Sequence, residues 1–291
     1  MFRRSILSIV FLFAVKGEAQ TLSISPKAPA PGAIVRLSLR PALADTILKI
    51  SGMMSGEPLH FVKSASGTWR AIGPITVDAT GEIEASAIIE KASGALDTVR
   101  ASVTIPKPPP PRRGARPPAL SVSPRFTRPL DSATQARIDR ENAAAREIGR
   151  RAHDSAPMWT SPFVRPRASA VTSRFGSGRM FNGTLTSRHL GVDFRGATGE
   201  PIRAANRGVV ALVDQFFLAG TVVYIDHGGG VVTGYFHLSK ALVAAGDTVE
   251  RGQEIGLVGA TGRVTGPHLH WSARYGAVTV NPMDLTLVES R

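Results

Sequence analysis

The sequence predicts a mostly β protein with a small Ig-like sandwich at the N-terminus and an antiparallel β domain at the C-terminus. Three observations support this fold class: short runs of alternating apolar and polar residues, glycine-containing turns between them, and a single long helix-favouring stretch. A chain of 291 residues has room for one to three domains. We expect a signal peptide at 1–19, the sandwich at 20–105, a linker at 106–163 and the C-terminal domain at 164–291.

The first residues are typical of a signal peptide. Arg3 and Arg4 precede an apolar run at 6–15, and Ala19 offers a small residue at the cleavage point. The run is much shorter than the roughly 20 apolar residues of a membrane span. We therefore expect an exported protein whose mature chain begins near Gln20, without stable membrane insertion. An uncleaved anchor is the alternative.

The predicted sandwich rests on strand-like alternation. Val35, Leu37 and Leu39 alternate with polar residues, and residues 99–105 repeat the pattern. Several such runs separated by glycine turns are typical of a small antiparallel sandwich. His60 lies alone between two apolar residues, so we interpret it as structural.

The linker combines an extended and a helical segment. Residues 106–118 are rich in Pro and Arg, which is typical of a stiff spacer. Residues 131–153 favour a helix, and Ser132 with Gln135 fits a capping box. The helix has few large apolar residues, so it is either a solvated connector or packs on a neighbouring domain. His153 at its end suits the negative end of the helix dipole.

The C-terminal region consists of short β-rich runs separated by glycine turns. The triple glycine at 228–230 predicts a hairpin turn between two of these runs. The predicted strands are at 208–213, 221–226, 231–237, 253–258 and 268–275.

Composition limits the chemistry. The chain has no cysteine, which excludes disulfides and a thiol nucleophile, so a metal would be held by His, Asp or Glu. Its formal net charge of +13 favours anionic partners. For an exported protein we expect an anionic envelope polymer and no nucleic acid, although charge can also serve solubility alone.

Four of the seven histidines fall in three short motifs of the C-terminal region. His268 and His270 are two apart on a predicted strand, so both side chains can face one cavity. His237 ends another predicted strand. His189 and Asp193 would lie about 13 Å apart on a straight strand, too far to share an ion. The chain must therefore bend between them, and the glycine at 191 gives it the freedom to do so.

If the chain bends, His189 and Asp193 can converge with His270 on one metal ion. Three protein ligands leave one position of a tetrahedral Zn²⁺ for water, which is the arrangement of a catalytic site. The sequence has no HExxH motif, so no helical glutamate is available as general base. The imidazoles of His237 and His268 are the available substitutes.

These motifs resemble the lysostaphin/LytM-type zinc endopeptidases over roughly residues 173–285. The matching segments are SRFG at 173–176, HLGVDF at 189–194, VVYIDHGGG at 222–230, GYFHLS at 234–239, GDTVERGQEIGLVGATG at 246–262 and GPHLHW at 266–271. The resemblance implies a secreted Zn²⁺ endopeptidase that hydrolyses peptide cross-links of bacterial peptidoglycan, and we expect a monomer. It implies His189, Asp193 and His270 as zinc ligands and His237 and His268 as catalytic residues. His227 matches a turn and not the active site.

Three alternatives stay open. Degenerate members of the same family bind cell wall or activate amidases without cutting. The segment 246–259 has the hairpin pattern of lipoyl carriers, but no lysine follows Lys240. The N-terminal sandwich is also compatible with an adhesive module.

The sequence leaves the substrate bond undecided between glycine bridges and D-alanine cross-links to diamino acids, both of which the family includes. We expect the groove to be edged by residues 176–188 and 216–220, with Asn182 as a groove residue or a turn residue. The helix at 131–153 is a candidate for covering the metal site, as N-terminal segments do in some relatives.

Overall fold

A computed structural model of the chain describes residues 20–42, 46–107, 117–183 and 185–288. The predicted signal peptide lies outside these residues, as does most of the Pro/Arg-rich spacer. Within the described ranges, no helix is both long and apolar enough to cross a bilayer.

The N-terminal part contains two four-stranded antiparallel sheets, with strand orders β1-β2-β6-β5 and β4-β3-β7-β8. The strands are β1 (Thr21–Ser25), β2 (Ile34–Arg40), β3 (Ile47–Met54), β4 (Glu57–Leu59), β5 (Val62–Lys63), β6 (Trp69–Pro74), β7 (Gly81–Lys91) and β8 (Leu96–Ile105).

The two sheets share one hydrophobic core. Val35, Leu37 and Leu39 of β2 are fully buried, as the alternation predicts, and the first two lie in one cluster with Ala85 and Val103 of the other sheet. Burial of one face of each sheet against the other is the arrangement of a β-sandwich. The immunoglobulin-like topology stays a prediction.

The linker contains one long helix, α1 (Ser132–Arg151). Its N-cap is Asp131, whose carboxylate accepts a hydrogen bond from the N–H of Thr134 at 2.7 Å. The predicted capping box is therefore wrong by one residue, and the Gln135 amide instead donates to Asp139 at 2.9 Å. Asp caps as well as Ser does, and its negative charge also suits the positive end of the helix dipole.

Helix α1 packs on the C-terminal domain. Ala145 and Ile148 join a hydrophobic cluster with Phe216, Tyr224 and Val232. The thin apolar face predicted from the sequence is thus used for packing, and the alternative of a solvated connector is wrong. Gly149 lies at the closest approach, because a Cβ atom there would be 1.9 Å from the carbonyl oxygen of Gly276.

The C-terminal part is built on a ten-stranded sheet with the path β10-β13-β20-β17-β16-β15-β18, to which β14, β19 and β21 attach. A small separate sheet has the order β12-β11-β9. The strands are β9 (Ala119–Leu120), β10 (Val171–Ser173), β11 (Gly178–Phe181), β12 (Leu185–Arg188), β13 (Val192–Arg195), β14 (Pro201–Arg203), β15 (Gly208–Phe216), β16 (Gly220–Asp226), β17 (Val231–Ala241), β18 (Thr248–Val249), β19 (Glu254–Val258), β20 (His268–Tyr275) and β21 (Val278–Val280). Short 3-10 turns cover Pro124–Phe126, Ala152–Asp154 and Pro282–Leu287.

All five strands predicted in this region are confirmed, as β15, β16, β17, β19 and β20. Strand β20 has its predicted ends, whereas β15 and β17 run three to four residues further. The triple glycine forms the predicted turn, with positive φ at all three positions. The core of this domain also contains Trp159 and Phe163, which precede the start that the sequence predicts for it.

Polar contacts hold the sandwich against the C-terminal domain. The Glu57 carboxylate accepts from the backbone N–H of Ala277 at 2.9 Å and from Nε2 of His153 at 3.0 Å. Nδ1 of His153 then lies 2.8 Å from Nε2 of His60. The Tyr275 hydroxyl donates to the carbonyl of Pro58 at 2.8 Å. His60 therefore has a structural role, as predicted. It lies at the interface where the sandwich, the end of α1 and the β20–β21 hairpin meet.

The Gly149→Ala variant tests the packing of α1. At a solvent-exposed position inside a helix, replacing Gly by Ala stabilises the protein by about 1 kcal/mol at most. Here the new Cβ would meet a backbone carbonyl, so we expect a loss of about 1–3 kcal/mol from overpacking. Denaturant unfolding followed by circular dichroism measures the change. Ala143→Gly, at an exposed position of the same helix, is the control and should cost only about 1 kcal/mol. A Gly149→Ala variant more stable than the parent would contradict the packing.

Candidate metal centre

Three predicted ligand residues converge in the C-terminal domain. Nε2 of His189 is 3.0 Å from Oδ1 of Asp193 and 3.0 Å from Nδ1 of His270. Nδ1 of His270 is 2.9 Å from the same carboxylate oxygen. The three atoms therefore form a nearly equilateral triangle. Among the described residues, this is the one His/Cys/Asp/Glu group compact enough to hold a metal ion.

Strand register explains the convergence. Asp193 of β13 is the direct antiparallel partner of His270 of β20. His189 comes from the segment that precedes β13, where the chain bends as predicted. Gly191 is not among the residues with left-handed backbone. Its missing side chain matters instead, because a Cβ at 191 would lie 2.4 Å from Nε2 of His270. Gly191 was predicted to provide backbone freedom for the bend. In the structure it matters because it leaves room for the His270 ring.

The far side of the His189 ring fixes its tautomer. Nδ1 lies 3.0 Å from the carbonyl oxygen of Arg174 and 2.9 Å from Oγ of Ser173. A carbonyl can only accept, so Nδ1 carries the proton and donates it. Nε2 is then left as a lone pair that faces Asp193 and His270, which is how metal-binding histidines are usually oriented.

The charge states also suit ligation. Burial works to raise the pKa of Asp193, but its contacts with the imidazoles of His189 and His270 outweigh burial and hold the pKa far below its usual value. Burial lowers the pKa of His270 to about 4, only partly offset by Asp193. An ionised carboxylate and a neutral imidazole are the forms that bind metal. Arg179 pairs with the second oxygen of Asp193.

The donor set fits a zinc ion. Two imidazole nitrogens and one carboxylate oxygen are a common zinc ligand set. A tetrahedral centre with bonds of about 2.0–2.1 Å places its ligand atoms about 3.3 Å apart. The observed separations of 2.9–3.0 Å are close to this value. A small outward movement of each side chain would accommodate the ion.

The two predicted catalytic histidines lie beside this triangle. Nε2 of His268 is 3.7 Å from Oδ1 of Asp193, and the His237 ring centre is 4.9 Å from that of His268. Nδ1 of His237 donates to the carbonyl of Thr261 at 2.8 Å, and Nδ1 of His268 to the carbonyl of Gly266 at 2.9 Å. Both rings therefore carry their proton on Nδ1 when neutral, which leaves Nε2 free to accept a proton.

His237 reaches the site through an unusual backbone conformation. In a regular strand it would point to the same side as Tyr235, which is buried in the core. Its φ of 65° interrupts the alternation. The imidazole instead lies on the side of Phe236, whose ring stacks on His270 at 5.1 Å. Left-handed backbone is costly for a non-glycine residue and is concentrated at functional sites.

A cavity of about 590 Å³ opens beside the site. Asp193 and His268 line it together with residues 177–179 and Phe181 of the β11–β12 hairpin. This agrees with the prediction that residues 176–188 edge a groove. Residues 216–220 are not among the described residues that line this cavity, and Phe216, Phe217 and Gly220 line a smaller one, so that part of the prediction stays a prediction. Phe217 and Leu218 pack behind Phe181.

Sequence reasoning missed several parts of this cavity. Pro118 and Leu120 of the linker line it, as do residues 263–267 before β20. Strand β9 pairs in parallel with β11, which attaches the linker to the hairpin. The only available signal was the short apolar pair that follows the Pro/Arg-rich segment. Of the residues described, no α1 side chain lines the cavity.

Asn182 and His227 have structural positions. Asn182 has a φ of 49° at the hairpin turn, and its amide exchanges two hydrogen bonds of 2.9 Å with the backbone of Val122. It is therefore a turn residue that also clamps the linker. His227 is fully buried away from the site, between the carbonyl of Arg207 at 2.7 Å and Oγ1 of Thr233 at 2.8 Å. Burial lowers its pKa to about 4.

Comparison with known proteins places this geometry in context. Residues 187–282 match peptidase family M23. The peptidoglycan DD-endopeptidase ShyA of Vibrio cholerae is 43% identical over 114 residues, which are 39% of this chain and 26% of that protein. The DD-carboxypeptidase/endopeptidase Mpg of Neisseria meningitidis is 39% identical over 142 residues, which are 48% of this chain and 32% of that protein. The chain thus matches only about a quarter to a third of the length of these curated relatives.

One solved structure resembles the chain over most of its length. The crystal structure of an M23 peptidase from Pseudomonas aeruginosa is 27% identical, with a TM-score of 0.67. The likeness covers 89% of this chain and 95% of that one. It therefore includes much of the N-terminal part as well as the domain that holds the site.

The Gly191→Ala variant tests the close approach at the metal site. Its Cβ would displace the His270 ring, so we expect the affinity for zinc to fall by about 10- to 100-fold, as when a residue that orients a ligand is lost. Competition with a zinc-binding dye measures it. Gly266→Ala is the control, since a Cβ there meets open space and its backbone is not left-handed. Equal zinc affinity in both variants would refute the steric role of Gly191.

Because His227 is buried, we expect the protein to lose stability in acid. Its folded pKa of about 4 lies below the 6.5 that is usual for histidine, so the unfolded chain takes up a proton first as the pH falls. Its contribution is fully present above pH 6.5 and is lost as the pH falls towards 4, by about 3 kcal/mol in total. Unfolding free energies at several pH values measure the slope. In the His227→Asn variant, the unfolding free energy should fall less steeply between pH 6.5 and 4. An unchanged slope would show that His227 is not the source of the acid sensitivity.

Proposed function

We propose that this protein, whose residues 187–282 match peptidase family M23, is a zinc-dependent endopeptidase that hydrolyses peptide cross-links of bacterial peptidoglycan. The observation that carries the proposal is the convergence of His189, Asp193 and His270 within 3.0 Å of one another, with His237 and His268 beside them. The relatives named as peptidoglycan DD-endopeptidases support the choice of substrate.

The metal would be held by His189 Nε2, Asp193 Oδ1 and His270 Nδ1. A bound zinc ion supplies Lewis acidity, which lowers the pKa of a coordinated water towards about 7 and polarises a carbonyl. Arg179 pairs with the outer oxygen of Asp193 and so keeps Oδ1 directed at the two imidazoles. Phe236 supports the His270 ring from the other side.

His237 and His268 are the proton carriers of the proposed reaction. Hydrolysis of an amide joins a water oxygen to the carbonyl carbon, breaks the C–N bond and moves a proton to the leaving nitrogen. Both rings present Nε2 to the site because Nδ1 of each is bound to a backbone carbonyl. One imidazole accepts the proton of the attacking water, and the other, when protonated, supports the developing oxyanion.

The proposed substrate also implies where the protein works. Peptidoglycan lies outside the cytoplasm, so we place the protein in the periplasm or at the cell wall. The signal peptide predicted at 1–19 supports this location, and the formal net charge of +13 suits an anionic cell-wall polymer. We propose that it acts as a monomer.

Digestion of purified peptidoglycan tests the function. The protein should release peptide fragments that mass spectrometry identifies as cleaved cross-links, and a chelator should abolish the release. His237→Ala and His268→Ala should keep their zinc but lose about 10²- to 10⁴-fold in rate, as expected for loss of a general acid or base. His189→Ala should lose zinc as well.

His60→Gln is the matched control, since His60 lies at the interface with the sandwich and outside the site. Its rate should stay within about twofold of the parent, because no contact to the reacting groups changes. Full activity of both His237→Ala and His268→Ala would reject their roles. Zinc-loaded protein that binds peptidoglycan without releasing fragments would favour a non-catalytic module.

A further inference from the structure

The strand that carries His237 has one residue more than its neighbour at this point. Thr221 of β16 pairs with Leu238 of β17, whereas Val223 pairs with Tyr235. Two residues of β17 therefore oppose a single residue of β16, which is a β-bulge. His237 is one of these two and has the left-handed φ of 65°. Such a backbone persists only where the surrounding structure holds it, so the contacts around the bulge decide where the imidazole lies.

The Thr261 side chain bridges the two strands beside the bulge. Its Oγ1 accepts a hydrogen bond from the backbone N–H of Thr221 at 2.9 Å and donates one to the carbonyl of Leu238 at 2.8 Å. Thr221 and Leu238 are direct partners in the ladder. One hydroxyl thus satisfies a backbone group of each strand where the bulge disturbs their pairing, and leaving such groups without partners away from water is costly.

The backbone of Thr261 binds the imidazole itself. Its carbonyl accepts from Nδ1 of His237 at 2.8 Å, while the backbone N–H of His237 donates to the carbonyl of Ala219 at 2.9 Å. A neutral imidazole carries a single N–H, and Nε2 can accept a proton only if that N–H is at Nδ1. Thr261 therefore ties the two strands together with its hydroxyl and selects the His237 tautomer with its carbonyl.

Two glycines allow the loop that carries Thr261 to approach β16 this closely. A Cβ atom at Gly220 would lie 2.3 Å from Oγ1 of Thr261, and one at Gly262 would lie 2.4 Å from the backbone nitrogen of Gly220. Both glycines have positive φ, which costs glycine little. Backbones packed so closely cannot shift independently, so the hydroxyl and the carbonyl of Thr261 are placed together.

We propose that Thr261 is a positioning residue for His237. Its hydroxyl holds the bulge, and the bulge keeps the imidazole against the Thr261 carbonyl with Nε2 turned to the metal site. Thr261 is not among the residues that line the cavity, so it acts only through His237. Its effect on rate rests on the proposed function, whereas the tautomer is a property of the protein without metal or substrate.

Thr261→Val tests the role of the hydroxyl, because valine has nearly the shape of threonine but no hydrogen-bonding group. The first measurement is nitrogen NMR of histidine-labelled, chelator-treated protein at a pH where the ring is neutral. The His237 signals are identified by their loss in His237→Ala. The parent should hold the proton on Nδ1, whereas Thr261→Val should show a mixture of both tautomers. Thr261→Ser keeps the hydroxyl and should match the parent.

Cleavage of soluble cross-linked peptides by the zinc-loaded protein gives the second measurement. Thr261→Val should lose about 10- to 100-fold in kcat, because a misplaced proton carrier forfeits much of its contribution. KM and the affinity for zinc should stay within about threefold of the parent, since neither substrate binding nor ligation is altered. Thr261→Ser should recover kcat to within about threefold.

Thr233→Val is the matched control. Thr233 lies on the same strand as His237 and is fully buried, and its hydroxyl also has two partners, Nε2 of His227 at 2.8 Å and the Tyr235 hydroxyl at 3.0 Å. Its loss should lower the denaturation midpoint but leave the His237 tautomer and kcat unchanged. If Thr233→Val lowers kcat as much as Thr261→Val does, loosening of the sheet explains both and the positioning role is rejected.

Thr261→Cys decides the matter if Thr261→Val does not fold. A thiol is a weaker donor and acceptor than a hydroxyl, so the cysteine variant should have a lower kcat than Thr261→Ser and a less uniform tautomer. Equal values in these two variants, or the parent's tautomer in a folded Thr261→Val, overturn the proposal. If the tautomer changes as expected but even the parent cleaves no peptide, the positioning of His237 stands and the proposed function fails.

Discussion

The interaction on which the site depends is the burial of one carboxylate charge between two imidazoles. Asp193 is 6% exposed, and an ionised group in such a position is stable only when it is fully partnered. His189, His270 and Arg179 provide these partners. The antiparallel register of β13 and β20 sets Asp193 opposite His270, and Gly191 leaves room for the ring. A shift of this register by one residue would turn the carboxylate to the opposite face of the sheet.

Elements outside the central sheet shape the surroundings of the site. The linker strand β9 and Asn182 hold the hairpin that carries Arg179 and Phe181. On the other side of that hairpin, the Glu141 carboxylate of α1 accepts from the backbone N–H of Phe217 at 2.9 Å. The linker thus does more than separate two domains, because it holds the hairpin that lines the cavity beside the site.

The N-terminal sandwich is coupled to the same framework. Glu57 accepts hydrogen bonds from His153 at the end of α1 and from Ala277 in the turn that follows β20. Ile34 donates its backbone N–H to Asp284 at 3.0 Å near the C-terminal end. Burial raises the pKa of Asp284, and the hydrogen bond from Ile34 partly offsets this. These contacts fix the sandwich relative to the site, which agrees with the likeness of the M23 peptidase from Pseudomonas aeruginosa over 89% of this chain.

The sequence by itself determined the β class, five strands of the C-terminal domain and the five residues that converge there. It could do so because strand alternation and a two-residue histidine spacing are local properties with a fixed geometric meaning. It also determined the helix, but not its cap, since Asp131 and Ser132 can both cap a helix and only one satisfies the first turn.

Only the tertiary structure decided how the site is completed. The positive φ of His237, the pairing of Arg179 with Asp193 and the contact of Arg263 with Phe181 all depend on segments far apart in the chain. Such contacts leave no periodic signal, because they arise where loops from different strands meet. The linker was read from the sequence as a spacer for the same reason: its pairing with β11 depends on an edge that exists only once the hairpin has folded.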